Sequence, residues 1–292
     1  MSVAAARGFS ASTLLRLGRT SNLPTVWTNV IAGTVIAGGV RRPSEIALIA
    51  LAMSAFYVGG MYLNDFFDRS IDARERPTRP IAAGEISAGT VSGLGFGLLV
   101  IGIALMVPFG LAAIVRGIAL AGVIVVYDIW HKGNALGPTI MGLCRALVYL
   151  GAGAAVIDHV SLALAIGAFV LAAHTAGISY AAKQESLDTI GNLWPMLLLA
   201  APLIAALPSI AGGRIVLLAF ALLLVADAAA VWLLAKRPVP HSVPRAVSGL
   251  IAAISLVDAL AVAWAAGDLL LVLSCAAGYP LTRLFQASIP GT

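Results

Sequence analysis

Residues Asn64 to Arg79 read NDFFDRSIDARERPTR, the densest block of charge in a 292-residue chain whose hydrophobic fraction is 60%. Asn64, Asp65, Asp68, Asp72 and Glu75 stand there among Arg69, Arg74, Arg76 and Arg79. On a helix Asn64, Asp68 and Asp72 are spaced i, i+4, i+8, so three oxygen-bearing side chains share one face. Stacked acids repel one another unless something neutralises them. Mg²⁺ held through one or two carboxylates plus substrate phosphates does so. The plainer alternative is a solvated loop whose acids pair with its own arginines.

Composition places that block in a membrane protein. A mean hydropathy of +0.99 with 11% charged residues leaves too little polar surface to cover a water-soluble globule. Apolar runs near the roughly 20 residues needed to span a bilayer fall at Leu23–Val40, Glu45–Leu63, Gly89–Val107, Phe109–Tyr127, Pro138–Ile157, Val160–Ala181, Leu193–Ile210, Arg214–Ala235, Val247–Ala266 and Leu269–Leu284. The fold expected is an all-α polytopic membrane protein, about nine transmembrane helices around a central cavity, as one domain over residues 1–292. The tenth run, within 267–292, is an uncertain extra apolar segment. Its Gly278, Tyr279 and Pro280 predict a late break, hence a re-entrant or interfacial piece.

Residues 1–22 are too weakly apolar for a secretory signal. They predict an interfacial or flexible segment in which Leu14, Leu15 and Leu17 touch lipid while Arg16 and Arg19 face head groups or a ligand. Their Arg, Ser and Ala content without acids also resembles a transit peptide, which makes an organellar membrane the alternative to a bacterial inner membrane. The positive-inside rule puts the Asp68 stretch in the cytoplasm. A net charge of +5 calls for no nucleic-acid partner; it suits anionic lipid head groups and a diphosphate-bearing substrate. Cys144 and Cys275 both lie in apolar runs, so no disulfide framework is expected.

A second acidic stretch, SYAAKQESLDTIGN, follows the sixth run as the first follows the second. Two such stretches facing one cavity could hold a diphosphate between metal ions, whose charge must be neutralised before it leaves. Tyr62 to Ser87, YLNDFFDRSIDARERPTRPIAAGEIS, resembles the first aspartate-rich motif of the UbiA superfamily of intramembrane prenyltransferases, N-D-x-x-D-x-x-x-D followed by R-P-x-x-x-G-x-I-S. RLGRTSNLPTVWTN is similar to the family's first-helix entry, and VVYDIWHK to its tyrosine and lysine element after the fourth helix. The family's second motif, D-x-x-x-D, is altered: Gln184 and Asp188 occupy its positions, with Glu185 beside the missing acid. An amide oxygen can coordinate but carries no negative charge. HKGNALGPTIMGLCRALVYLGAG with YAAKQESLD resembles the subgroup encoded in Ebo-type clusters.

The resemblance implies a Mg²⁺-dependent transferase that ionises a prenyl diphosphate and passes the allylic cation to an electron-rich or lipophilic acceptor. It implies metal ligands Asn64, Asp68 and Asp72, with Gln184, Glu185 and Asp188 at a second site, and Asp68, Asp72 and Asp188 as the catalytic set. Arg16, Arg19, Arg79, Lys132, Arg145 and Lys183 would contact the diphosphate, and Tyr127 and Tyr180 would line the cavity. Rival readings are an altered family member that binds or exports lipid, favoured by Gln184, and a transporter using Asp227 and Asp258 in mid-span. A CDP-alcohol phosphotransferase needs a D-G-x-x-A-R element that does not occur. Arg145, two turns inside its span, admits two roles, a diphosphate clamp or a structural ion pair. His174 is expected to be a helix-to-helix hydrogen bonder.

Overall fold

A computed structural model describes residues 10–39, 42–183, 194–236 and 241–291, and among them every regular element is helical. In chain order these are α1 Ala11–Leu17, α2 Leu23–Ile36, α3 Pro43–Glu75, α4 Ala88–Met106, α5 Leu111–Trp130, α6 Gly137–Ala154, α7 Leu162–Lys183, α8 Ala201–Ala206, α9 Arg214–Lys236, α10 Ser242–Ala265 and α11 Leu269–Ser288. Local chemistry sets the starts. Prolines sit in the first turn of α2, α3 and α6, where the missing N–H has no helical partner to lose. Ser87 Oγ accepts the Thr90 amide at 3.0 Å to open α4, and Asp268 Oδ1 accepts the Leu270 and Leu271 amides at 2.9 and 3.1 Å to open α11.

Among the described residues seven helices are long and apolar enough to cross a membrane: α3, α4, α5, α7, α9, α10 and α11. The expectation of about nine departs from this in four runs: the first and fifth form α2 and α6, which are not among the seven, and the seventh and tenth differ in continuity. The seventh run is a broken rod in which α8 is flanked by 3-10 turns at Trp194–Ala200 and Leu207–Gly212, with Pro202 and Pro208 each opening a new segment. The tenth run, by contrast, is a continuous helix straight through Pro280. Packing overrides the proline there: a Cβ on Gly278 would lie 2.6 Å from Ser255 Oγ of α10 and 2.8 Å from Thr28 Cγ2 of α2, so α11 is clamped against both. Similar close approaches join neighbours elsewhere. A Cβ on Gly142 would stand 2.4 Å from the Ala172 carbonyl oxygen across α6 and α7.

Solvation explains which faces are covered. Val100, Leu111, Phe169, Val225 and Leu270 are each more than 60% exposed. In water that surface would be unfavourable by about 25 cal/mol per Å²; in lipid it is not. α10 is the opposite case, with 78% of its apolar window buried against 22% for α9 and for α11, and it forms the centre of the carboxyl-terminal half. Its Asp258 is fully buried and accepts hydrogen bonds from Thr28 Oγ1 (2.5 Å), Asn29 Nδ2 (2.8 and 2.9 Å) and Tyr149 Oη (2.6 Å). A carboxylate thus ties α2, α6 and α10 together in the core.

Candidate active site

The acidic stretch continues α3 without interruption, so its first part is helix rather than loop, and α3 runs 33 residues from Pro43 to Glu75. α5 runs in the same sense, and successive turns of the two helices face each other: Gly60 against Ile124, Asn64 against Asp128, Asp68 against Lys132. A cavity of about 930 Å³ opens along this seam and is bounded on its other sides by α2, α6, α7 and α10. Its inner end is apolar, lined by Val26, Met53, Phe56, Leu120, Val148 and Ile254. Its mouth is charged. Among the described residues the lining carries Arg19, Arg76, Arg79, Lys132, Arg145 and Lys183 against Asp68, Glu75 and Asp128, six cations to three carboxylates, a balance that suits an anion.

At the mouth Asp68 Oδ2 is 3.4 Å from His131 Nε2 and 3.5 Å from Lys132 Nζ. His131 stacks on Tyr127 and its Nδ1 donates to the Tyr127 carbonyl at 3.0 Å, which aims Nε2 at the carboxylate. Arg19 Nη2 donates to Asn64 Oδ1 (3.3 Å) and Asp65 Oδ1 (3.1 Å), and Arg79 Nη1 donates to the same Asp65 oxygen at 3.2 Å. Asp65 therefore anchors two guanidinium groups beside the cavity. Burial, followed by the neighbouring Arg19, pulls the Arg79 guanidinium below its ordinary value. Arg19 also has a left-handed backbone, φ 42°, unfavourable for a side-chain-bearing residue and held by these contacts.

The expected residues divide as follows. Arg19, Asn64, Asp68, Arg79, Tyr127, Lys132, Arg145 and Lys183 line the cavity. Asp72 does not, although it is buried. Each i to i+4 step overshoots a full helical turn by about 40°, and two steps carry Asp72 off the face that Asn64 presents. Arg16 pairs instead with Glu85, which also accepts from Thr13 Oγ1 at 2.8 Å, and so ties α1 to the segment after α3. Leu17, expected on lipid, is 1% exposed and packed with Tyr62, Ile86 and Val91. The Tyr180 hydroxyl donates to the Ala135 carbonyl at 3.3 Å and the residue lies outside the lining. Arg145 reaches the cavity, yet its guanidinium donates to Asn29 Oδ1 (2.7 Å) and Thr25 Oγ1 (3.1 Å), joining the Asp258 network. Gln184, Glu185 and Asp188 lie outside the described residues; Lys183, just before them, is at the mouth.

Sequence reasoning passed over His131 and Asp128, although both sit in the quoted string VVYDIWHK, His131 four residues after Tyr127 and so on its helical face. It left Asp227 unassigned, and among the described residues neither of its oxygens has a hydrogen-bond partner; His174, 3.9 Å away, donates from Nδ1 to the Leu199 carbonyl at 3.0 Å. That bond joins α7 to the Trp194–Ala200 turn, as expected of a residue linking segments.

Among the described residues no three His, Cys, Asp or Glu side chains gather closely enough to hold a metal unaided. Asp68 and Asp128 bring carboxylate oxygens to the cavity and Asn64 an amide whose oxygen accepts from Arg19, a set that fits a hard cation whose remaining ligands come from a bound phosphate.

The sequence profile of the UbiA prenyltransferase family matches residues 25–242. A digeranylgeranylglyceryl phosphate synthase of Natronomonas pharaonis is 28% identical over 162 residues, 55% of this chain and 57% of that protein. The chain spans about half the length of the curated relatives it matches. Among solved structures, the apo form of a UbiA homologue from Aeropyrum pernix K1 superposes with a TM-score of 0.63 at 18% identity, covering 80% of this chain and 94% of that one. A UbiA homologue from Archaeoglobus fulgidus bound to GPP and Mg²⁺ gives 0.53 at 13% identity, covering 94% and 86%. These two establish likeness of fold. With its helices, its Asn64–Asp68 face and the profile match together, the chain belongs to the UbiA prenyltransferase family.

Proposed function

We propose that the protein is a membrane prenyltransferase, moving an isoprenyl group from a prenyl diphosphate to a lipophilic acceptor at the mouth of this cavity. The observation that carries the reading is the division of one cavity into a cationic mouth and an apolar interior. A diphosphate fits the first and a prenyl tail the second, where each buried methylene contributes roughly 0.8 kcal/mol. The relatives named as digeranylgeranylglyceryl phosphate synthases, and the fold-mate solved with GPP and Mg²⁺, support the same assignment.

In this reading Arg19, Arg79 and Lys132 bind the diphosphate, and Asp65 keeps the two arginines extended towards it. Asn64 and Asp68 would hold Mg²⁺, which when bound neutralises charge on the departing diphosphate. The C1–O bond breaks with its electron pair leaving on the diphosphate oxygen, the acceptor's electron pair forms the new bond at C1, and the proton the acceptor releases passes to the departing diphosphate or to water at the mouth. Tyr127 and the apolar wall keep water from the allylic carbon. By the positive-inside rule the mouth faces the cytoplasm.

The test incubates purified protein with labelled prenyl diphosphates and membrane extract, with and without Mg²⁺. Transfer should depend on the metal and vanish in Asp68→Ala. Protein that consumes no prenyl diphosphate would defeat the reading in favour of a lipid-binding role, to which Gln184 in place of an acid points.

A further inference from the structure

The polar lining does not stop at Asp68. One helical turn further in along α5, Asp128 borders the same cavity and is 3% exposed. Its Oδ1 accepts from Asn64 Nδ2 at 3.3 Å, a long bond, and its Oδ2 is buried with no donor. The neighbouring basic side chains are engaged elsewhere: His131 and Lys132 stand against Asp68, while Arg19 and Arg79 take Asp65. Among the described residues no ion pair is formed by Asp128. Asp65 has a buried, unpartnered oxygen as well, but it lies outside the cavity lining and two guanidinium groups balance its charge. Asp128 has neither excuse.

A carboxylate removed from water with one oxygen unmet is unfavourable unless a ligand meets it. The facing turns of α3 and α5 say which ligand. Asn64 brings an amide whose oxygen accepts from Arg19 and whose nitrogen faces Asp128, Asp68 a carboxylate one turn nearer the mouth, and Asp128 a carboxylate across the seam. A set of oxygens from two rigid helices, open on one side to a cationic mouth, is suited to a hard divalent cation that completes its shell with phosphate oxygens. We infer that Asp128 is a ligand of the divalent cation bound at this site, supplied by α5 opposite Asn64 and Asp68. It adds negative charge to a chain in which Gln184 stands where the resembling motif carries an acid. The inference rests on the prenyl diphosphate reading above, and it concerns how the cation is held, independent of which acceptor is used.

Mn²⁺ binding to the full chain in nanodiscs, followed by electron paramagnetic resonance with and without inorganic pyrophosphate, reads the site without turnover. Asp128→Asn, nearly the same shape, should weaken Mn²⁺ binding at least tenfold, and Asp128→Ser should match it, while the metal-free melting temperature does not fall. Asp68→Asn is the control. If Asp68→Asn loses Mn²⁺ and both Asp128 variants stay within twofold of the parent, the role of Asp128 is overturned and the diphosphate reading stands. If both Asp128 variants melt lower but the folded protein binds Mn²⁺ as the parent does, Asp128 is only structural and the inference also fails. A parent that takes up no Mn²⁺ even with pyrophosphate defeats the inference and the functional reading together.

Discussion

Replacing Asp258 by alanine removes the acceptor at the centre of the α2, α6 and α10 junction. Three donors converge on it, the Thr28 hydroxyl, the Asn29 amide and the Tyr149 hydroxyl. Thr28 retains the Thr25 carbonyl at 3.2 Å, so two groups are stranded in a fully buried position. At about 1–3 kcal/mol for each unsatisfied buried donor the loss comes to about 4 kcal/mol. Arg145 adds to this, because Asn29 links its guanidinium to Asp258. For a chain of 292 residues the melting temperature should fall by about 7 °C. Asp258→Asn keeps one acceptor oxygen and should lose about half as much. Thermal unfolding in detergent, followed by circular dichroism, measures both. A melting temperature within about 2 °C of the parent in Asp258→Ala would refute the network as a structural tie, and would reopen Asp258 as a mid-span functional acid.

Other outcomes follow from the same geometry. Gly142→Ala should destabilise by about 1–3 kcal/mol, since the new methyl meets the Ala172 carbonyl and must push α6 from α7; an unchanged melting temperature would argue against so close a crossing. The hydrogen bond from Thr13, aided by Arg16, holds the Glu85 carboxyl below its ordinary value of 4.5. A carboxyl depressed on folding stabilises above its unfolded value and ceases to as pH falls through the folded one, so α1 should loosen in acid. Glu85→Gln should produce the same faster amide exchange over Thr13–Leu17 at neutral pH, and unaltered exchange would discount the tie. At the second acidic stretch, Gln184→Asp should tighten Mg²⁺ binding if that position is a weakened ligand. If Glu185 already serves, Glu185→Gln should be the damaging change and Gln184→Asp should weaken binding by repulsion. Identical Mg²⁺ affinity in both variants would remove this stretch from the metal site.

The chemistry of the sequence was enough to determine the class of this protein. A chain this apolar can satisfy its backbone in lipid by forming helices, whose hydrogen bonds close within each segment. The shared face of Asn64 and Asp68 was legible for the same reason, because helical periodicity is a property of neighbouring residues. Other features depended on elements far away in the chain. Pro280 looked like a break and is carried by the contacts of Gly278 with Thr28 and Ser255. Arg145 admitted two roles, clamp or structural partner, and its contacts with Thr25 and Asn29 lie more than a hundred positions earlier. Asp128 was an unremarked neighbour of Tyr127 until α3 was laid beside α5, bringing Asn64 to it across 64 residues and leaving its second oxygen unmet. Which polar group meets which is decided by the docking of whole helices, and helix docking is set by the summed shape of their faces, which no local spacing encodes.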